Sequence, residues 1–292
     1  MTALTQARRA DLALLVVSIL WGLSFPAIKM ATPFVSPVLF VALRFGLTTA
    51  VLGALWRWLG RDAGSGLRGG AWLGLLLTLG YATQTAGLHS TTAGNSAFIT
   101  ALSVVLVPFY AAARLRQRPR LVALAALVPA VAGLAVLTRP DLGRLVAGDL
   151  WTLACAVSYA VYLVELSRAL TVTPYRPLLF WQIVTVAVVA AAWALVVERG
   201  RVVWNGTVVL SLALTTVFST LLALWLQTRW QGRTTATRAA LIFTTEPVFA
   251  VLFAFLLLGE RMPATFVAGA VLILAAVLGG LRPAPRRTEE HP

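Results

Sequence analysis

Glu246 is where chemistry is most readily placed, because it stands near the middle of an apolar run over residues 235–258. An ionised carboxylate so far from water is costly, so such a group faces a cavity, pairs with a cation or titrates. Two readings stay open. It could bind a substrate ammonium or pass a coupling proton, or it could be a protonated structural acid beside Pro247, whose ring kinks a helix and frees a backbone carbonyl.

Other polar groups in the apolar runs fall on helical faces. Trp151, Cys155, Ser158, Tyr162 and Glu165 are spaced 4, 3, 4 and 3 apart, which lines them along one side of a helix over 148–167. Trp151 reads as an interfacial anchor and Glu165 as an interfacial charge near Arg168, whereas Tyr159 and Tyr162 lie deeper. Thr216, Thr220, Ala223 and Gln227 share a face, as do Tyr81, Gln84 and Leu88. Hydroxyl side chains commonly glue helices together in lipid, but a long amide packs poorly, which favours a cavity role for Gln84 and Gln227. Trp21, Asn95, Trp181 and Trp225 are further polar or aromatic groups in or at the ends of runs. The candidate substrate-binding set is therefore Trp21, Tyr81, Gln84, Asn95, Tyr159, Tyr162, Trp181, Trp225, Gln227 and Glu246. Aromatic faces would hold an apolar group, the amides its polar atoms, and Glu246 an ammonium or a proton.

Two cations need separate accounts. Arg44 lies inside an apolar run and needs a carboxylate, carbonyls or a route to water, with no partner readable from sequence. Lys29, at the end of the first run, is expected to snorkel. Catalysis finds no support: the histidines are His89 in a turn and His291 in the tail, and no metal-spacing cluster, phosphate-binding loop or nucleophile beside a base is present. The expectation is a protein that is not an enzyme and takes no metal or cofactor. A single cysteine, Cys155, excludes an internal disulfide.

The elements that must position these residues follow from composition. Hydrophobic residues make up 59% of the chain, charged ones only 12%, and the mean hydropathy is +0.86; a soluble domain carries about 25% charged residues. Apolar runs fall at 11–30, 36–56, 69–88, 93–113, 120–138, 148–167, 177–197, 206–228, 235–258 and 263–281. Spanning helices need about 20 apolar residues, and without period-2 alternation the runs read as helices. The expected fold is an all-α membrane protein of ten transmembrane helices. The net charge of +14 sits at the ends of runs rather than on one wet surface, so it reads as topology signal and contact with the lipid bilayer, not nucleic acid. With the N-terminus inside, 17 Lys and Arg residues fall on inner segments and 6 on outer ones, which puts both termini in the cytoplasm. The run after Arg8 and Arg9 lacks a small-residue cleavage site and reads as a retained first span.

Sliding the sequence by 143 residues pairs Gln84 with Gln227, Thr85 with Thr228, Thr91 with Thr234, Thr92 with Thr235, Ala93 with Ala236, Ile99 with Ile242 and Val105 with Val248. A weaker echo relates Asp11-Leu12 to Asp149-Leu150 and Trp21 to Tyr159. This suggests a duplication into residues 1–140 and 141–292. Five spans per half is odd, so the second half would insert upside down. Inverted repeats are typical of secondary transporters, with the substrate site near the midplane between the halves. A non-transporting membrane receptor or lipid-handling protein is the alternative from another class.

The chain resembles the EamA-type members of the drug/metabolite transporter superfamily. The marks are Trp21-Gly22, Arg44-Phe45, Gly148-Asp149-Leu150, Glu246-Pro247-Val248-Phe249-Ala250 and Gly259-Glu260, spread over Asp11 to Leu281. The first half departs from the pattern with Ser103-Val104 in place of Glu-Pro and no acid near Arg118-Pro119. The resemblance implies two inverted five-helix repeats around a central cavity, with the fifth and tenth spans peripheral. It also implies export of a small molecule by alternating access from the bacterial cytoplasm across the inner membrane, by a monomer or weak homodimer. Chain length and the Trp and Tyr residues inside runs are similar to the aromatic amino-acid exporters of that superfamily, so a neutral or aromatic amino acid is the expected substrate, with Glu246 holding either its ammonium or a coupling proton. A multidrug or other metabolite exporter is the rival within transport.

Overall fold

Backbone groups in lipid must be satisfied within their own segment, and the chain answers with helices throughout. The computed structural model describes residues 3–54, 66–116, 121–138 and 146–281. Its α-helices are α1 Ala3–Ala31, α2 Pro37–Ala54, α3 Leu67–Leu88, α4 Ala93–Ala101, α5 Ser103–Leu115, α6 Leu121–Thr138, α7 Ala147–Ala169, α8 Tyr175–Trp193, α9 Gly206–Leu214, α10 Ala223–Trp230, α11 Ala236–Phe243, α12 Glu246–Leu258 and α13 Phe266–Gly280. Two π-helical stretches, Ala194–Glu198 and Thr215–Leu222, extend α8 and join α9 to α10. Among the described residues the only β pairing is an isolated antiparallel bridge between Val35 and Val202. The expected division at residues 140 and 141 lies outside the described residues, as do Arg57, Arg61, Arg118, Pro119, Arg120, Arg139, Arg144, Arg282, Arg286, Arg287 and His291.

Seven helical stretches among the described residues are long and apolar enough to cross a membrane: Gln6–Ala31, Pro37–Ala54, Ala93–Leu115, Ala147–Ala169, Tyr175–Glu198, Gly206–Arg233 and Ala236–Leu258. Leu124–Thr138 and Phe266–Gly280 are shorter apolar helices. The remaining expected run is α3, which is long enough but carries Thr78, Tyr81, Thr83, Gln84 and Thr85 in its buried surface. A helix packed on several sides by protein need not be apolar all round.

The fourth and ninth runs are each interrupted. The first breaks at Leu102, between α4 and α5, and the second at Thr244 and Thr245, between α11 and α12. In the second break the Thr244 and Thr245 hydroxyls donate to the carbonyls of Leu241 (2.7 Å) and Ile242 (2.8 Å), which also accept from the backbone N–H groups of the same two threonines. Pro247, in the first turn of α12, has no N–H to lose there.

The 143-residue offset reappears element by element. Thr92 caps α4 by accepting from the Asn95 N–H, and Thr235 caps α11 by accepting from that of Arg238. Helices α5 and α12 start at Ser103 and Glu246 and end at Leu115 and Leu258. Each is followed by a left-handed residue, Arg116 (φ 53°) and Gly259 (φ 66°).

Packing is by close backbone approach. A Cβ at Gly22 would lie 2.5 Å from Phe249 Cβ, so glycine there lets α1 lie directly against α12. Helix α3 packs on both α7 and α8, α2 on α8, and α6 chiefly on α13. The outside is apolar, with Val128, Leu195, Val196 and Leu278 among many large side chains turned outward. A water-facing surface that apolar would drive association; against hydrocarbon it is the expected exterior.

Candidate functional site

The two breaks bring polar groups to one place. An empty volume of about 580 Å³ lies between α1, α3, α4, α5, α7, α11 and α12, bordered by Trp21, Ser24, Leu77, Tyr81, Gln84, Thr100, Ala101, Ser103, Tyr159, Tyr162, Leu163, Ala240, Phe243 and Glu246. Its walls are mostly apolar and carry a few placed polar groups, the make-up of small-molecule sites. Among the described residues, Glu246 is the sole carboxylate that borders it, and no Lys or Arg does. That carboxylate opens α12, where the helix N-terminus favours negative charge.

The aromatic wall is held ring on ring. Trp21 stands 5.1 Å from Phe243, and Tyr81 stands 5.6 Å from Tyr159 in an edge-on arrangement and 5.0 Å from Phe45. Trp21 donates its indole N–H to the Ser219 carbonyl (3.1 Å) in the second π-helical stretch, and Ser219 Oγ donates back to the Leu20 carbonyl (2.7 Å). The indole is thereby fixed at the edge of the cavity. Gln84 reaches Thr100 Oγ1 by one long hydrogen bond of 3.4 Å, which leaves most of its amide capacity free.

Six of the ten expected site residues border this volume: Trp21, Tyr81, Gln84, Tyr159, Tyr162 and Glu246. Gln227 sits one layer behind, fully buried. Its Oε1 lies 3.3 Å and that of Gln182 3.0 Å from the Tyr162 hydroxyl, while Gln227 Nε2 donates to Gln231 Oε1 (2.9 Å) and Gln231 in turn to the Leu163 carbonyl (2.7 Å). This amide ladder sets the Tyr162 ring rather than facing the space itself.

Asn95 also lies elsewhere. It donates to Asp149 Oδ1 (2.5 Å) beside Thr91 Oγ1 (2.8 Å) and so ties α4 to the start of α7. Trp225 carries Arg229 over its ring at 5.2 Å, and Trp181 packs edge-on against Phe180 at 5.2 Å. Each has the bulk expected of a cavity residue, but its helix turns it to another neighbour.

Two charged residues also differ from expectation. Lys29 does not reach for water: its ammonium donates to the carbonyls of Leu88 (2.7 Å) and Thr91 (2.6 Å), capping the end of α3. Burial pushes the neighbouring Glu260 carboxyl up, against the opposing pull of the Lys29 charge. Glu165 is more than an interfacial charge near Arg168. It is 5% exposed and accepts from Arg114 Nε (2.6 Å), Arg168 Nη1 (3.2 Å) and the Tyr110 hydroxyl (3.1 Å), which joins α5 to α7.

The model of the EamA-like transporter family matches residues 8–139 and 146–281. The chain belongs to the EamA-like transporter family. It is 33% identical over 269 residues to an uncharacterized transporter of Archaeoglobus fulgidus, covering 92% of this chain and 84% of that protein. A solved crystal structure of a protein with 20% identity superimposes with a TM-score of 0.73, covering 93% of this chain and 96% of the other, which shows the shared fold. This EamA-like chain is accordingly a multi-pass membrane transporter of a small molecule.

Sequence reasoning missed Ser24, Thr100, Ser103 and Phe243 as cavity residues of the EamA-like chain. The signal was present in the offset itself. Thr100 and Phe243 are 143 apart, as are Ser103 and Glu246, and both members of each pair border the cavity. Looking for identical residues hides such pairs, because a position can keep its place while its chemistry changes.

Proposed function

We propose that the protein is a secondary transporter that exports a small amphipathic metabolite, a neutral or aromatic amino acid, by alternating access. The single observation that carries this reading is the cavity whose aromatic walls, Trp21, Tyr81, Tyr159, Tyr162 and Phe243, surround one carboxylate, Glu246. Rings of this kind bury an apolar side chain and attract a cation over their faces, and Glu246 answers an ammonium.

The recurrence of caps, breaks and helix ends at a 143-residue offset supports ten spans arranged as two inverted five-helix repeats, residues 1–140 and 141–292, around that cavity. The charge pattern supports an inner-membrane placement in a bacterium with both termini cytoplasmic. The protein works as a monomer or weak homodimer. Glu246 exchanges a proton for the substrate's ammonium, so outward flux is driven by the proton gradient. A second reading, export of lipophilic amines, is favoured by the absence of any basic side chain among the residues bordering the cavity.

Uptake of a panel of labelled amino acids into proteoliposomes of the purified protein tests the proposal. Saturable flux of phenylalanine, tyrosine or leucine above that of protein-free vesicles is expected. Flux of lipophilic amines alone would hand the function to the second reading, and no flux of either class by folded protein would remove both.

A further inference from the structure

Arg44 presents a problem that the cavity can solve. It is a permanent cation, 1% exposed, inside α2, and burying a charge without a counter-charge is strongly unfavourable. Its Nε donates to Thr220 Oγ1, a short contact into the second π-helical stretch, and its guanidinium carbon lies 4.8 Å over the ring of Tyr81 and 5.6 Å over that of Phe45. Among the described residues, Nη2 is buried with no hydrogen-bond partner, and no carboxylate makes an ion pair with Arg44. Two aromatic faces and the hydroxyls of Thr220 and Tyr81 do not neutralise a guanidinium.

Tyr81 is the partition. It borders the cavity and also carries Arg44 over its ring, so that rotation of one side chain would open the guanidinium to whatever occupies the cavity. Arg44 is tied to the second π-helical stretch by its side chain and its backbone. Thr216 Oγ1 lies 3.5 Å from the Arg44 carbonyl, and Thr220 Oγ1, which accepts from Arg44, donates to the carbonyl of Thr215, five residues back, at 2.9 Å. A π-helical turn of this kind leaves the backbone irregular and recurs at functional sites.

We infer that Arg44 receives the carboxylate of the cargo: the ammonium meets Glu246, the Tyr81 ring turns aside, and the carboxylate takes the unpartnered face of the guanidinium. The inference rests on the amino-acid reading above and adds to it a second charged contact. It also removes the objection that no cation borders the cavity, because the cation waits behind a ring.

The test is scintillation-proximity binding to the detergent-solubilised full-length protein of labelled phenylalanine, phenethylamine, which lacks the carboxylate, and 3-phenylpropionate, which lacks the ammonium. Wild-type protein is expected to bind phenylalanine at least tenfold more tightly than phenethylamine. Arg44→Gln should weaken phenylalanine and 3-phenylpropionate by about ten- to hundredfold, the worth of a hydrogen bond to a charged group, while leaving phenethylamine within about twofold. Arg44→Lys, which keeps the charge, should retain part of the preference. If Arg44→Gln does not yield monodisperse protein, the wild-type ratio still decides, because equal affinity for phenylalanine and phenethylamine overturns the inference. Phenylalanine binding unchanged in folded Arg44→Gln overturns the Arg44 assignment alone. Wild-type binding of phenethylamine without phenylalanine, or of none of the three, overturns the amino-acid reading together with it.

Discussion

Arg238 grips Asp11 through two nitrogens, Nη2 to Oδ2 at 2.6 Å and Nε to Oδ1 at 2.9 Å, and so joins the start of α11 to α1. The residue 143 positions before Arg238 is Asn95, and it holds Asp149, the echo of Asp11, at 2.5 Å. One contact is ionic and bidentate and the other rests on an amide, so the two matched junctions are not equally strong.

Replacing Asp11 with Asn should therefore loosen α1 from α11, and the charge-exchanged pair Asp11→Arg with Arg238→Asp should recover part of the loss. Both side chains are partly exposed, at 26% for Arg238 and 15% for Asp11, so a double-mutant cycle on thermal stability should give a coupling of about 1 kcal/mol that shrinks with added salt. A coupling of zero at low salt would mean that the pair is incidental.

Gln84 and Gln227 are matched in sequence but separate in effect. Gln227→Ala breaks a buried ladder and leaves Gln231 Oε1 without its Gln227 donor, while the Tyr162 hydroxyl keeps Gln182; the loss should cost about 1–3 kcal/mol of stability. Gln84→Ala gives up one hydrogen bond of 3.4 Å; it should unfold within a degree or two of wild type and instead weaken substrate binding. Thermal unfolding and binding measured on both variants check the separation.

Gly22 tests how α1 and α12 meet. With the added Cβ placed 2.5 Å from Phe249 Cβ, even Gly22→Ala must push the helices apart. About 1–3 kcal/mol of destabilisation is expected, read as a lower unfolding temperature, whereas Gly46→Ala, where nothing lies within 4 Å, should cost little or nothing.

Much of this was legible in the sequence because lipid leaves few options. Apolar runs had to be helices, and the offset between Gln84 and Gln227 marked elements whose caps and ends recur in register. Glu246, Trp21, Tyr81, Tyr159 and Tyr162 stood out because polar or amphipathic groups in lipid need a reason to be there. The breaks at Leu102 and Thr244 were not legible, since both lie within unbroken apolar runs. Nor was the direction in which Trp181, Trp225 and Asn95 turn, because every helix in a bundle has several protein-facing sides and hydropathy does not tell them apart. Lys29 misled for a related reason: a cation at the end of a run can reach water or the open carbonyls of a neighbouring helix, and here α3 ends within its reach.

The account centres on Glu246 as the carboxylate bordering the cavity, and the most direct measurement compares wild type with Glu246→Gln in proteoliposomes loaded with labelled phenylalanine, with and without an imposed proton gradient. Wild type should concentrate the label across the membrane only when the gradient is present. The variant, folded and monodisperse, should lose that concentrative flux. Gradient-driven transport at the wild-type rate in Glu246→Gln would contradict the role given to this residue.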